Sequence, residues 1–375
     1  MKQKQIIVFL LAAAGLLILP IILQGFGNAW VRIADFALLY VLLALGLNIV
    51  VGYAGLLDLG YVAFFAIGAY MYGLLASPHL TENFAAIAAM FPDGLHLPIW
   101  LVIPASAGLA AFFGVLLGAP TLRLRGDYLA IVTLGFGEII RVFMNNLDHP
   151  VNITNGPKGM GEIDSLSFFG VSFGKTLDVG GFELPSVTLY YYLFLVLVVF
   201  SVIISHRLQY SRVGRAWMAI REDEIAAKAM GINTRNLKLL AFAMGATFGG
   251  LAGGLFAAFQ GFISPESFTL WESILVLCMI VLGGMGNIPG VVLGAVLLTM
   301  IPEALRYLGD LQRATLGQVV VDPADLRMLL FGVALVAMML FRPAGLLPSR
   351  QRRREFAAEE GLAEQVQANL YDTRN

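Results

Sequence analysis

The sequence predicts an all-α protein, a polytopic membrane helix bundle of about ten transmembrane segments, some of them glycine-broken or re-entrant. Of the 375 residues, 58% are hydrophobic and 13% are charged, against about 25% charged in soluble domains. The mean hydropathy is +0.80. A soluble fold cannot cover so much apolar surface with so few polar residues. The 24 basic and 25 acidic residues nearly cancel. This excludes a nucleic-acid-binding protein, because such a protein needs an excess of basic residues.

Ten apolar stretches approach the length of about 20 residues that a membrane-spanning helix needs. They are 6–24, 31–50, 57–77, 98–118, 128–147, 187–205, 237–259, 272–285, 289–303 and 324–342. The eighth and ninth are short and interrupted by glycine, so they form either two spans or one re-entrant hairpin. We expect the first to be a retained helix rather than a signal peptide, because no small-residue cleavage site follows it.

Basic residues predict the orientation of the bundle. With the N-terminus placed inside, most of the 24 lysines and arginines fall on the inner side, where short loops of membrane proteins collect them. Both termini are therefore predicted to be cytoplasmic. The transmembrane domain covers 1–345, and 346–375 form a cytoplasmic tail that begins with a basic cluster, Arg350–Arg354.

Two polar connections interrupt the apolar pattern. The outer one, 148–186, is rich in glycine, serine and aspartate, and the alternation over Ser165–Phe173 predicts a small hairpin or cap. The inner one, 206–236, predicts one or two short amphipathic helices outside the bilayer. Its apolar residues at helical spacing are Trp217, Ile220, Ile225, Ala229 and Ile232.

A stripe of small residues marks the segment 237–259. Gly245, Gly249 and Gly253 recur every four residues, with alanines continuing the series at both ends. Small residues on one face let another backbone approach closely, which is how membrane helices associate. We interpret the stripe as a packing surface, either within this chain or against a sister subunit.

Two apolar stretches are broken by glycine and give the candidate translocation pathway. Their members are Gly52, Gly55, Asp58 and Gly60 in the first stretch, and Gly284 and Gly286 in the second. Unwound backbone within a membrane is tolerated only where it is buried in protein or lines a wet cavity. Asp58 has two interpretations: a cap for a helix that starts near Leu59, or a polar group on the pathway.

Few other charges fall within the predicted spans. Glu138 and Arg141 are three residues apart, so they are predicted to pair on one helix face. We expect water to reach four acids near outer helix ends. These are Asp35, Glu266, Glu272 and Glu303.

The sequence gives no catalytic or metal-ligating residues. Its four histidines are scattered without ligand spacing, and Cys278 is the single cysteine. The stretch Gly170–Thr176 resembles a phosphate-binding loop, but it has three residues between its glycines where that loop needs four. A transporter without a nucleotide motif is driven either by an ion gradient or by another chain. The nearly uncharged spans and the polar inner loop favour docking to a cytoplasmic motor.

The inner loop resembles the coupling loop of bacterial ABC importer permeases, and more specifically the LivM-type permease family of branched-chain amino acid importers. Other stretches agree with that family: Gly55–Tyr61, Leu122–Tyr128, Gly137–Arg141, Pro265–Phe268 and Leu282–Gly284. The resemblance implies an ATPase-coupling role for eight loop residues. These are Arg215, Ala216, Arg221, Glu222, Glu224, Ala226, Ala227 and Gly231.

The loop departs from the general importer pattern at one position. That pattern reads Glu-Ala-Ala, three residues, then Gly; here Ala226, Ala227 and Gly231 keep the register, but Ile225 precedes Ala226. The acid that contacts the ATPase is therefore either Glu222 or Glu224. Gly231 is expected to allow a tight turn where the loop helix ends.

The resemblance also implies a location and partners. It places the chain in the bacterial inner membrane as a non-catalytic subunit without a cofactor of its own. Its implied partners are a homologous second permease in a heterodimer, two ATP-binding subunits that carry ATP and Mg, and a periplasmic binding protein, with no nucleic acid. The implied substrates are leucine, isoleucine and valine; related permeases for urea, short amides or other amino acids are the alternative.

Two other classes of protein compete with this interpretation. A self-sufficient ion-coupled carrier needs ionisable clusters deep in the bundle, and a membrane-embedded enzyme needs a catalytic or metal constellation near a membrane face. The sequence shows neither feature.

Overall fold

A computed structural model describes residues 14–348, except 93, 122–123, 125, 169–170, 180–181, 317–321 and 343–344. The predicted basic cluster Arg350–Arg354 and the tail from residue 349 onward lie outside the described residues. The same holds for the first eight residues of the predicted segment 6–24, which is described from Ala14 onward.

The described residues are mainly helical. The helices are α1 (Ala14–Gln24), α2 (Asn28–Leu47), α3 (Val62–Leu75), α4 (His79–Asn83), α5 (Ala85–Met90), α6 (Ile99–Thr121), α7 (Asp127–Asn146), α8 (Ser186–Gln209), α9 (Arg212–Glu222), α10 (Glu224–Ala229), α11 (Thr234–Gln260), α12 (Leu270–Gly283), α13 (Ile288–Leu316) and α14 (Pro323–Phe341). A π-helical turn, Asn48–Tyr53, continues α2. Short 3₁₀ turns lie at Gly156–Lys158 and Pro265–Ser267.

Six helical segments within the described residues are long and apolar enough to cross a membrane. They are Asn28–Tyr53, Ile99–Thr121, Ser186–Gln209, Thr234–Gln260, Pro265–Gly283 and Ile288–Thr315. The shorter helices α1 and α3 are also apolar. The prediction of a helical membrane bundle is confirmed, whereas the count of about ten spans stays a prediction.

Two predicted segments differ from the helices in length. The segment 57–77 reduces to the 14 residues of α3, because the chain between Tyr53 and Val62 is not helical. The segment 289–303 extends to the 29 residues of α13. By length α13 forms a full span, which favours two spans over a re-entrant hairpin for the eighth and ninth segments.

The outer loop 148–186 contains two small antiparallel hairpins. Strands β1 (Ser167–Phe168) and β2 (Val171–Ser172) form the first, as predicted, and β3 (Leu177–Val179) and β4 (Phe182–Leu184) form the second. A bridge between Met160 and Ile263 fastens the loop to the chain beyond α11. We refer to this end of the bundle as the outer-loop end and to the opposite end as the coupling-loop end.

Helix α11 lies at the centre of the bundle and packs against α2, α3 and α6. Its small-residue stripe makes this possible. A Cβ on Gly253 would overlap the carbonyl oxygen of Phe65 in α3, and one on Gly245 would lie 2.5 Å from Val50 Cγ2. At Gly249 the nearest atom would be Phe64 Cβ, at 3.1 Å. The stripe therefore packs within the chain.

The predictions for charged residues within the spans agree with the structure only in part. Arg141 Nε donates to Glu138 Oε2 at 3.0 Å, which confirms the predicted pair, and Arg141 also lies 3.7 Å from Glu266. The expectation that water reaches Asp35 is wrong, because its exposed fraction is 0%. Asp35 lies one helical turn beyond Val31, whose side chain packs with Tyr191 of α8.

Candidate functional site

The coupling loop consists of α9, α10 and the start of α11, and a side chain caps each of these helices. Ser211 Oγ accepts from a first-turn amide of α9 at 3.0 Å. Asp223 Oδ1 accepts from two amides of α10 at 2.7 and 3.1 Å, and Asn233 Oδ1 accepts from α11 at 3.2 Å. Such caps satisfy amides that lack helical partners. The break at Asp223 therefore gives α10 a new direction.

The inward face of the loop packs against the π-helical turn that ends α2. Trp217 has an exposed fraction of 0%, and Ile220 and Ala227 are also buried in this contact. The Trp217 indole Nε1 donates to the Leu237 carbonyl at 2.7 Å. The loop is therefore docked rigidly on the transmembrane bundle.

Apolar residues of α10 and the residue that follows it are exposed on the outward side of the loop. Ile225 has an exposed fraction of 67% and Met230 of 82%, and Ala226 and Ala229 are exposed beside them. We call these four residues the coupling face. Ile225 and Ala229 do not share the packed side of Trp217, because the break at Asp223 interrupts the helical phase.

Gly231 forms the turn that ends α10. It has a φ of +82°, its amide donates to the Lys228 carbonyl at 3.0 Å, and the Ile232 amide donates to the Ala227 carbonyl at 3.1 Å. This pair of bonds is the Schellman motif, in which glycine tolerates the left-handed conformation.

Glu224 is held inside the loop. Its carboxylate lies 2.7 Å from Lys238 Nζ and 3.0 Å from Lys228 Nζ, and the Lys238 side chain is only 7% exposed. Burial raises the pKa of the Glu224 carboxyl, but the hydrogen bonds and charges of Lys238 and Lys228 outweigh burial and lower the pKa to about 2. Glu224 thus fastens α10 to α11, whereas Glu222 is exposed.

The remaining predicted coupling residues lie along α9. Arg215 is exposed, and its Nη1 donates to the Tyr210 carbonyl at 2.8 Å, while Ala216 is half-buried. Arg221 points toward the bundle: its Nη1 donates to the Gly52 carbonyl at 2.6 Å. A Cβ on Gly55, which has a φ of +69°, would lie 2.6 Å from Arg221 Cγ. Arg221 therefore joins the loop to the first glycine-broken stretch.

The two glycine-broken stretches meet each other at this point. The Gly286 amide donates to Asn48 Oδ1 at 2.9 Å. A Cβ on Gly52 would lie 2.8 Å from the Gly286 nitrogen. Gly284 ends α12 with a φ of +120° and packs against Gly345. Segments separated by more than 200 residues thus form one close backbone contact directly above Arg221.

Asp58 and Gly60 lie where the chain enters α3. Asp58 Oδ1 accepts from the Gly60 amide at 2.9 Å, closing a turn just before the helix, which begins at Val62 rather than near Leu59. Asp58 Oδ2 is buried and has no partner within the described residues. A Cβ on Gly60 would overlap the Thr133 carbonyl oxygen, so Gly60 allows α7 to approach.

Two cavities lie at opposite ends of the bundle. One, of about 270 Å³, lies at the coupling-loop end between Gly55, Asp127, Arg221 and Lys238. The other, of about 200 Å³, lies toward the outer-loop end and contains Tyr40 and Glu272, a pair that sequence reasoning missed. The sequence signal for this pair was Glu272, an acidic residue within an apolar segment. No group of three acidic, histidine or cysteine residues in the described ranges could hold a metal ion.

A family model described as "Branched-chain amino acid transport system / permease component" matches residues 30–339. The Escherichia coli K12 high-affinity branched-chain amino acid transport system permease protein LivM is 41% identical, over 98% of this chain and 80% of its own length. LivM of Salmonella typhimurium is also 41% identical, over 90% and 74%. The Escherichia coli permease protein LivH is 27% identical, over 71% and 81%. No solved structure matches the chain.

Proposed function

The chain belongs to the permease-component family of branched-chain amino acid transport systems, and we propose that it is the membrane-spanning subunit of an ATP-driven importer for leucine, isoleucine and valine. The substrates are taken from the names of its LivM relatives. Specificity in such a system also depends on the protein that delivers the solute. Urea, short amides and other amino acids are therefore the competing substrates.

One observation carries the ATP-driven mechanism: the coupling loop is at once exposed and firmly connected to the bundle. The coupling face offers apolar side chains to a partner, and an exposed apolar patch of this kind marks an interaction site. On the opposite side of the loop, Arg221 holds the Gly52 carbonyl. Motion of a bound ATPase is thereby transmitted to the contact between the two glycine-broken stretches.

The proposed assembly contains a second permease, two ATP-binding subunits and a periplasmic binding protein. The named relatives include both LivM and LivH permeases, which supports a heterodimer of homologous permeases. ATP and Mg bind to the partner subunits, and this chain has no catalytic role. In this proposal about ten spans leave both termini on the same side of the bacterial inner membrane, and the bias of basic residues assigns that side, with the coupling loop, to the cytoplasm.

Four of the eight coupling residues, one of them Ala226 of the coupling face, divide into two roles in this proposal. Glu222 and the coupling face meet the ATPase, whereas Glu224 and Arg221 hold the loop in shape. Gly52 and Gly286 form the contact between the two glycine-broken stretches, Gly284 packs beside it against Gly345, and Gly55 borders the cavity at the coupling-loop end. Asp58 supports the turn that leads into α3.

Purification of the tagged chain from its native membrane in a gentle detergent tests this function. Mass spectrometry should identify an ATPase and a second permease, and uptake of labelled leucine should be competed by valine and isoleucine but not by urea. Met230→Asp should lose the ATPase, whereas Met90→Asp, at an exposed position in α5 (77%), should keep it. Recovery of the chain alone after cross-linking, with uptake driven by sodium or protons, would replace the proposal with an ion-coupled carrier.

A further inference from the structure

The cavity toward the outer-loop end, about 200 Å³ in volume, is bounded by four helices. Three phenylalanine rings line it: Phe36 of α2, Phe65 of α3 and Phe256 of α11. The Phe256 centroid lies 5.2 Å from that of Phe65 and 6.4 Å from that of Phe36, so the wall is continuous. Because a water molecule occupies about 30 Å³ of liquid, this space holds a small organic molecule.

One acidic side chain enters this apolar space. Glu272, in the first turn of α12, lines the cavity, and its Oε2 accepts a hydrogen bond from the Tyr40 hydroxyl at 2.7 Å. Within the described residues its other oxygen, Oε1, accepts no hydrogen bond. A carboxylate inside a membrane bundle is costly and is retained chiefly at functional positions.

The positive charge nearest to this carboxylate acts from a distance. Arg327 of α14 lies within electrostatic range of Glu272 and Tyr40, yet no ion pair joins it to Glu272 in the described part of the chain. The Arg327 Nε is buried and lacks a partner there. The site thus presents an available carboxylate, a nearby guanidinium and an apolar wall.

The cavity narrows toward the coupling-loop end. A smaller space of about 10 Å³ lies next to the cavity on that side, and Tyr40 and Glu272 line both. Tyr61 and Ser273 line only the smaller space. That volume is about the minimum that admits one water molecule. Tyr61 is held in place, because its hydroxyl donates to the Gly245 carbonyl at 3.0 Å. The larger cavity, which we call the chamber, is therefore closed toward the coupling-loop end.

We propose that this chamber is a binding site within the membrane domain for an aliphatic amino acid, with its ammonium group on Glu272 and its side chain against Phe36, Phe65 and Phe256. The inference rests on the proposed transport function and adds to it a site in the permease itself. An ammonium donor completes the hydrogen bonding of the carboxylate, and the aromatic wall favours branched apolar side chains over polar ones. Tyr40 is a positioning residue that orients the carboxylate.

Equilibrium binding of tritiated leucine to the purified importer complex, without its binding protein, tests the site. Glu272→Gln should weaken binding by about tenfold or more, since it replaces a charged hydrogen-bond acceptor by a neutral one. Glu303→Gln is the matched control, because Glu303 lies on α13 beside Arg306, 3.4 Å away. Leucinamide, which keeps the ammonium group, should compete with leucine, and isocaproate, which lacks it, should not.

A second variant tests the chamber without changing charge. Leu39→Trp fills the space from α2, where Leu39 lines the wall, and should abolish leucine uptake while the complex still assembles and hydrolyses ATP. Equal competition by isocaproate and leucinamide would overturn the proposal and indicate an acyl-chain cavity. Loss of the second permease from the Glu272→Gln complex would overturn it by assigning the carboxylate to a subunit contact.

The outcomes also separate this inference from the proposed function. If the wild-type chain does not support leucine uptake in cells, the proposed function fails. If it does, and if Glu272→Gln and Leu39→Trp bind and import leucine like the wild type, the function stands and the chamber is not a substrate site.

Discussion

The guanidinium of Arg221 donates a 2.6 Å hydrogen bond from Nη1 to the carbonyl oxygen of Gly52. These residues belong to the coupling loop and to the π-helical turn that ends α2, and 169 positions separate them in sequence. A π-helical turn leaves carbonyls without their usual helical partners, and such turns are frequent at functional sites. The bond therefore connects a candidate motor-binding loop to backbone that is already distorted.

Loss of this bond should uncouple the importer. Arg221→Gln removes a charge-assisted hydrogen bond, so we expect leucine uptake to fall by about tenfold while ATP hydrolysis by the complex continues. Arg235→Gln, at an exposed position in the first turn of α11, is the matched control and should leave both rates unchanged. Parallel uptake and ATPase assays in proteoliposomes measure the ratio, and a constant ratio in Arg221→Gln would exclude the connection.

The pair of Glu224 and Lys238 should stabilise the loop in a pH-dependent way. Because the pKa of Glu224 is lowered from 4.5 to about 2, its contribution is complete above pH 4.5 and is lost as the pH falls toward about 2. Glu224→Gln leaves the buried Lys238 ammonium without its carboxylate, which should cost about 2 kcal/mol near pH 7.

Thermal unfolding of the purified protein measures this difference. The gap in midpoint between the wild type and Glu224→Gln should be constant from about pH 8 to about pH 5 and should close below about pH 4. Glu222→Gln, at an exposed position, should leave the midpoint within a degree or two. A gap that persists in acid would contradict the assignment of Glu224 as the titrating group.

Gly231 should tolerate asparagine better than leucine. Its φ of +82° costs a leucine side chain about 1 kcal/mol, whereas asparagine adopts the left-handed region more readily. No atom lies within 4 Å of a Cβ built there, so backbone strain alone decides. We expect Gly231→Leu to raise the ATP hydrolysed per leucine imported and Gly231→Asn to change it little; equal effects would point to a side-chain contact with the ATPase instead.

The stripe on α11 should show a graded response to alanine. Gly253→Ala forces a methyl group onto the Phe65 carbonyl, whereas Gly249→Ala meets Phe64 Cβ at 3.1 Å. We therefore expect severe loss of folded protein for Gly253→Ala and a milder loss for Gly249→Ala, with Gly249→Leu severe again because leucine is larger. Gly108→Ala on α6, which has open space around it, is the control. Fluorescence-detected size exclusion of tagged variants ranks them, and equal profiles would place the stripe outside the packed core.

Features that depend on neighbouring residues could be predicted from the sequence. Apolar length indicated membrane helices, alternation over Ser165–Phe173 indicated a hairpin, and the positive φ at Gly231 follows from its place after a short helix. The pair of Glu138 and Arg141 was likewise predictable, because three residues along a helix bring two side chains onto one face. Hydropathy and helical periodicity are local properties, so the sequence alone carries them.

Contacts between distant segments were decided only by the tertiary structure. Ile225 faces outward because Asp223 caps a new helix, Asp35 is buried on a helix that packs against α8, and Glu272 lines a cavity because α2 brings Tyr40 to it. The order of residues along the chain does not record which faces of two helices meet. Close packing of four helices around small residues fixes those faces, and it is this packing that gives each of these side chains its environment.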